Sequence, residues 1–345
     1  MQEVADRAGV TKMTVSNVVS GRARVRPETE ARVRAAIAEL GYTPNLVARS
    51  LATGSTMTIG LFVPTVSNWF YSDVVEQVED VLEEAGYHLL LCTTRLDGER
   101  ARRHLAGLTS RSVDGLLIAG DRDLIDHLPL LADSRFPVVL CAWETDAPDT
   151  LPVVTIDYEH GGFLAGRHLR ELGHERVAVL TSPDHARRVE GFRRAFAKDG
   201  RTVPDSAVLS VSEPTPAAAF AAASAALAAD PDLTAIFATY DVLVHGAMDA
   251  VQAQGRSIPQ DVSVVGQGEA APVSRTHPPL TTVSFPRQAM ARQAVELLLR
   301  TIANGESPTS FIQLLRPTLI AGESSGPPRE VAPDSSRPDV HRAES

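Results

Sequence analysis

Cysteine, aromatic residues and long apolar runs are all scarce in this chain. Only two cysteines, Cys92 and Cys141, occur in 345 residues. Both sit in strand-like apolar stretches, so they read as small core residues and give no disulfide framework or metal pair. No apolar run approaches the ~20 residues of a membrane span. No charged-then-apolar leader opens the chain, so no membrane partner and a cytoplasmic location are expected. Phosphate loops are missing too: the turn after the first apolar strand reads ProThrValSerAsn (64–68), not G-x-G-x-x-G or a Walker loop, and there is no G-x-S-x-G elbow. His160, His168, His174 and His185 lack metal-ligand spacing. These absences set enzyme chemistry aside, and neither a cofactor nor a metal is expected. Positive charge is also short, at 33 Lys and Arg against 43 acids. A net −10 argues against a nucleic-acid partner until the charge is divided along the chain. Residues 1–58 hold eight Lys/Arg against five acids, so this segment carries +3 and the remainder −13. Only the first segment suits a polyanion.

That segment is also the most patterned. Residues 5–16 read as two short helices broken at Gly9, with Thr11 placed to accept from the first amides of the second helix. Val4, Ala5 and Ala8 form one small apolar face, and Val15, Val18 and Val19 recur at helical spacing on the next. Lys12, Met13, Thr14, Ser16 and Asn17 are left outward, side chains that donate to phosphates or touch base edges. A third helix runs from about Pro27 through Val33, Ala36, Ile37 and Leu40 to a stop at Gly41. This is the layout of a helix-turn-helix head, residues 1–43, that reads double-stranded DNA. Residues 44–56 form a hinge: Asn45 can cap a helix of residues 46–52 and Gly54 can end it, too short to hold without a packing partner.

From residue 57 apolar strands (59–63, 88–92, 114–119, 137–141, 176–180, 235–238, 262–265) alternate with amphipathic helices such as 74–86 and 163–173. Near-continuous apolar strands separated by helices indicate parallel sheets covered on both faces. The expected core, 57–323, is two doubly wound α/β subdomains, about 57–156 with 284–309 and about 157–283 with 310–323. A ligand site is expected between them at the carboxyl ends of the strands. The Ala-rich stretch 217–229 is a helix former. Residues 324–345, Pro-rich and without Leu, Ile or Phe, are expected to be a disordered tail.

In this order the segments resemble the lactose/galactose repressor (LacI–GalR) family of bacterial transcription regulators over residues 1–323. The matching motifs are ValAlaAspArgAlaGlyValThrLysMetThrValSer (4–16), GluLeuGlyTyrThrProAsn (39–45), AlaArgSerLeu (48–51), IleGlyLeuPheValPro (59–64), ArgSerValAspGlyLeuLeu (111–117), GluLeuGlyHisGluArgValAla (171–178) and AspValSerValValGly (261–266). The head is especially similar to the gluconate-type members. The resemblance implies a core of the periplasmic-binding-protein type I kind and a homodimer that represses transcription, with two heads on a near-palindromic operator. It places Lys12, Met13 and Asn17 at base-reading positions and Thr11, Thr14, Ser16, Tyr42, Asn45 and Ala48 along the rest of the DNA interface. Leu51 matches the leucine the family wedges into the minor groove. Asn17 stands where most members have Arg, which shifts the preferred base from guanine to adenine. His174 matches a structural position. Members usually have several residues before Gln2, so either the start lies upstream of Met1 or the first helix lacks its cap, at about 1 kcal/mol. The tail has no leucine repeat of the kind some members use to tetramerise, so a dimer is expected.

For the effector the resemblance points to Asn68, Trp69, Phe70, Trp143, Arg188, Tyr240, Asp241, Gln267 and Glu269. Tyr240 replaces a usual Asn, and Gly268 stands where an Asp commonly grips sugar hydroxyls. With that carboxylate gone and Arg188 retained, a carboxylate-bearing sugar such as gluconate is expected, since Arg offers a bidentate fork. Glu269 is an alternative source of the missing acid, which would restore neutral-sugar binding. Trp69, Trp143 and Tyr240 would form a stacking platform. A transport receptor with the same core is the alternative function, but it would need a secretory signal and no DNA head.

Overall fold

The computed structural model describes residues 1–20, 23–42, 50, 54–108, 112–120, 125–127, 131, 136–146, 149–268, 276–305 and 311–329. Three helices form the head: α1 (Gln2–Ala8), α2 (Lys12–Ser20) and α3 (Pro27–Glu39). Gly9 ends α1 in the left-handed region at φ 63°, a position that favours a residue without Cβ. The Thr11 hydroxyl accepts from Thr14 N at 3.2 Å and so opens α2. Val4, Ala5, Ala8, Val15, Val18, Val33 and Ala36 are buried against one another, and Val19, Ile37 and Tyr42 pack on their edge. The Arg7–Glu39 ion pair at 2.7 Å ties α1 to α3 at the surface, where it adds at most about 1 kcal/mol. Met1 precedes α1 without a side-chain cap bond.

Beyond the head the chain builds two six-stranded sheets. The first has β1 (Thr58–Val63), β2 (His88–Thr93), β3 (Gly115–Ala119), β4 (Val138–Cys141), β5 (Val153–Ile156) and β11 (Ile312–Leu315) in the order β11-β5-β4-β3-β1-β2. The second has β6 (Val177–Thr181), β7 (Val208–Ser210), β8 (Ala235–Ala238), β9 (Ser263–Gln267), β10 (Thr281–Ser284) and β12 (Thr318–Ile320) in the order β12-β10-β9-β8-β6-β7. All pairings are parallel except β10 with β12. Leu116, Leu117, Ile118, Val139 and Leu140 are wholly enclosed, as central strands sandwiched by helices require. Cys92 and Cys141 are free, buried thiols, and burial pushes Cys141 up to about 12.

Two expected boundaries change. Residues 310–323 do not all belong to the second subdomain, because β11 pairs in parallel with β5 of the first sheet (Ile312↔Val153 through Leu315↔Ile156). The chain crosses between lobes once more at Arg316–Pro317 before β12 joins the second sheet. Nor does the tail begin at residue 324. Ser324 is fully buried, its hydroxyl donates to Val264 O at 2.6 Å, and Gly326 O meets His174 Nε2 at 2.9 Å. These are backbone and small polar contacts, which leave no apolar signature in the sequence. Residues 330–345 lie outside the described part.

His174 also bonds Thr234 Oγ1 at 2.9 Å, bridging two strand ends to the C-terminal segment. Burial pushes the His174 and His185 imidazoles below the ordinary value of 6.5. The unfolded chain therefore protonates more readily than the folded one. Their contribution is complete above about pH 6.5 and falls as the pH drops below it, by up to about 1.4 kcal/mol per pH unit for each histidine until the folded-state pKa is reached. Thermal unfolding from pH 7.5 to 5 should show a falling midpoint, with a shallower slope for His174→Asn. Equal slopes in the two proteins would contradict this account.

Candidate functional site

In the head, Lys12 and Met13 project freely, Met13 with 70% of its surface exposed, while Thr14, Ser16 and Asn17 are half-buried along the same helix. The Thr11 and Thr14 hydroxyls lie 3.0 Å apart. An exposed methionine of this size is uncompensated in the folded head, and with Lys12 beside it the leading turn of α2 offers both apolar and cationic contact. Tyr42 packs its ring on the head core. Asn45, Ala48 and Leu51 lie outside the described residues.

The second site is a cleft of about 620 Å³ between the lobes. Its walls are the turns that leave the carboxyl ends of both sheets, since parallel strands deliver all such turns to one rim. Asn68 follows β1 and caps α4 (Trp69–Glu84), accepting from Phe70 N at 2.8 Å. Its amide also donates to the Tyr240 hydroxyl across the cleft. At the centre is Arg188, from α7 (Ala186–Ala197) of the second lobe. Its Nε donates to both oxygens of Glu144 at 3.0 and 3.1 Å, and its Nη2 to Oε2 at 2.7 Å. Its Nη1 donates to Thr239 O at 2.5 Å. The guanidinium lies 4.7 Å from the Tyr158 ring centroid and 5.7 Å from that of Phe285, and those rings meet edge to face at 5.4 Å. Both charged side chains keep only 8% of their surface exposed. Burial opposes the charge on Arg188, but the Glu144 carboxylate beside it outweighs that cost and holds its pKa above the ordinary value. Burial raises the Asp241 carboxyl and the Tyr240 phenol, so the far wall is a set of polar groups shielded from water. No cluster of potential metal ligands occurs among the described residues.

The sequence profile described as "Bacterial regulatory proteins, lacI family" matches residues 1–45, and that described as "Periplasmic binding proteins and sugar binding domain of LacI family" matches residues 56–317. The chain belongs to the LacI family. A repressor designated PurR from Aliivibrio fischeri (strain MJ11) is 34% identical over 338 residues, covering 94% of this chain and 97% of that protein. The lac repressor dimer bound to operator and the anti-inducer ONPF aligns with a TM-score of 0.81 at 26% identity, covering 94% of this chain and 98% of the other. The complex of the regulator CelR with cellobiose aligns at 0.71 and 31% identity, covering 94% and 99%. This LacI-family chain is therefore a DNA-binding transcription regulator with a ligand-binding core, and its relatives are regulators, not enzymes. No helix among the described residues is long and apolar enough to cross a membrane.

Of the effector positions implied by the family, Asn68, Phe70, Arg188, Tyr240, Asp241 and Gln267 line the cleft together. Two aromatics do not. Trp143 is 2% exposed and packs under the first sheet with Leu140, Leu151 and Val153, so it serves as core; its Nε1 has no hydrogen-bond partner among the described residues. Trp69 opens α4 with 45% of its surface exposed and is not part of the cleft wall. Aromatics that do line the cleft include Phe70, Tyr158, Tyr240 and Phe285, of which Tyr158 and Phe285 are largely buried in the core. Glu269 lies outside the described residues. Sequence reading misses Glu144, Tyr158 and Phe285. Phe285 follows β10, whose ThrThrValSer has no apolar run to announce a strand. Glu144 falls directly after the turn that ends β4, where an acid reads as solvated loop.

Proposed function

We propose that this chain is a homodimeric repressor whose affinity for a near-palindromic operator is set by an uncharged, hydroxyl-rich ligand, a mono- or disaccharide, bound between the two lobes. The observation that carries the reading is the Arg188–Glu144 pair. The sugar-acid expectation needs a guanidinium free to fork a ligand carboxylate, and here the fork is already closed on Glu144. An incoming anion would meet a neutralised arginine and the Asp241 carboxyl. Hydroxyls, by contrast, can donate to the acids and accept from the guanidinium while a ring face rests on Phe70 or Tyr240, the partly exposed aromatics of the wall. The cellobiose in the CelR complex is a neutral disaccharide, which agrees with this class. Matching of the first 45 residues to the family's DNA-binding profile favours the regulator over a transport receptor.

Calorimetry with a panel of neutral sugars beside gluconate-type acids, each followed by a gel shift on selected operator DNA, tests the reading. Binding of a neutral sugar with a change in operator affinity is expected. Binding confined to the acids would overturn the ligand class. In the head, we assign base reading to Asn17, half-buried on α2. Asn17→Arg is expected to shift the preferred base at its position from adenine to guanine, by about 1–3 kcal/mol, while its added charge strengthens binding to random duplex as well. Selection of binding sites from a random pool by the two proteins measures the shift.

A further inference from the structure

Asp114, immediately before β3, gathers donors from three consecutive residues at the exit of the hinge. Its Oδ2 accepts from the Ser55 hydroxyl at 2.5 Å and from Met57 N at 2.9 Å. Its Oδ1 accepts from Thr56 N at 2.6 Å and the Thr56 hydroxyl at 2.8 Å. Backbone bonds complete the grip: Asp114 N donates to Thr58 O at 2.8 Å and His88 N to Met57 O at 2.9 Å. Met57 is held at φ 52°, a left-handed conformation that an unbranched side chain adopts only when its surroundings demand it. Just upstream, Gly54, at φ 72°, donates its N–H to Ser50 O at 2.8 Å, one residue before the first atom bonded to Asp114.

We infer that Asp114 is the positioning residue that fixes where, and at what angle, the hinge leaves the core, and that it thereby sets the half-site spacing the dimer accepts. The inference rests on the operator-binding reading above. A carboxylate suits the role because the N–H groups of Thr56 and Met57 cannot turn away: an asparagine would aim an amide N–H₂ at one of them. The two hydroxyl contacts can be removed separately, through Thr56→Val and Ser55→Ala, which leaves the backbone bonds from Thr56 and Met57 in place.

The experiment uses the full chain and an operator selected from a random palindromic pool, with variants carrying one base pair added or removed at the centre. Each step changes the separation of the half-sites by about 3.4 Å. The wild type is expected to bind the altered spacings about tenfold more weakly. Asp114→Asn is expected to narrow that ratio to about threefold or less and to lower the thermal midpoint by about 2–4 °C, while binding to an isolated half-site stays close to wild type. A purely structural role would lower the midpoint without moving the spacing ratio. A wild-type spacing ratio retained in Asp114→Asn overturns the inference. If that variant does not fold, the Thr56→Val/Ser55→Ala protein decides by the same ratio. Wild-type protein with no preference for a palindrome over random duplex would instead overturn the operator reading itself, and this inference with it.

Discussion

Arg188→Met should destabilise the core by about 3–5 kcal/mol, because it strands the Glu144 carboxylate in a site where only 8% of its surface is exposed. Two charges removed from water are tolerated when they face each other with good geometry. Either one alone keeps the desolvation cost and loses the compensation. A stranded carboxylate takes up a proton, so the penalty should shrink as the pH falls towards 5. The companion Arg188→Met/Glu144→Leu protein should recover most of the lost stability, since a well-packed apolar pair often replaces a buried ion pair without loss. It should nevertheless bind no sugar. Urea unfolding of the wild type, the single variant and the double variant separates charge from packing. A double variant as unstable as the single one would mean that the arginine acts through its contact with Tyr158 and Phe285 and not through its charge.

The second large effect is expected from a methyl group. Helix α6 (Tyr158–Glu171) crosses α7 at glycines on both sides. A Cβ at Gly191 would lie 1.8 Å from Glu159 O and 2.9 Å from Phe163 N, and one at Gly162 would lie 1.9 Å from Arg188 O. Backbone atoms cannot rotate out of the way as a side chain can, so the helices would have to separate. Gly191→Ala and Gly162→Ala should therefore cost about 3 kcal/mol, at the upper end of overpacking effects. Since Gly162 rests on the carbonyl of Arg188 itself, whatever Gly162→Ala protein folds should also bind ligand more weakly. Gly107 in α5 (Gly98–Leu108) is the control: its Cβ would meet nothing within 4 Å. Gly107→Ala should be neutral or stabilise by up to about 1 kcal/mol. Chemical denaturation of the three proteins checks the contrast, and a Gly191→Ala protein as stable as wild type would show that this crossing is looser than drawn.

The helix-turn-helix head is legible residue by residue, because its helices, their stop at Gly9 and the cap at Thr11 depend on neighbours three or four positions away. The long apolar strands of both sheets are legible for a similar reason. Shorter strands escape: ThrThrValSer at β10 and IleGlnLeuLeu at β11 mix polar and apolar residues, since β11 is an edge strand with one face open. In the cleft, Arg188 is legible as a position but its electrostatic state is not. Its partner lies 44 residues earlier in the other lobe, and no local pattern encodes that meeting. The same holds for the aromatics. A tryptophan after a strand can face the cleft or turn under the sheet, and the space left by Leu140, Leu151 and Val153 decides for Trp143.

By itself, then, the sequence determined the elements whose stability is local or periodic: the three small helices, the apolar strands, and the +3 head on an acidic body. Only the tertiary structure decided which lobe receives β11, that Glu144 closes the fork of Arg188, and that Asp114 holds the exit of the hinge. Those three facts are contacts between residues distant along the chain. Their energy comes from strand pairing, hydrogen bonds to a carboxylate and charge pairing, none of which exists until distant parts of the chain have met.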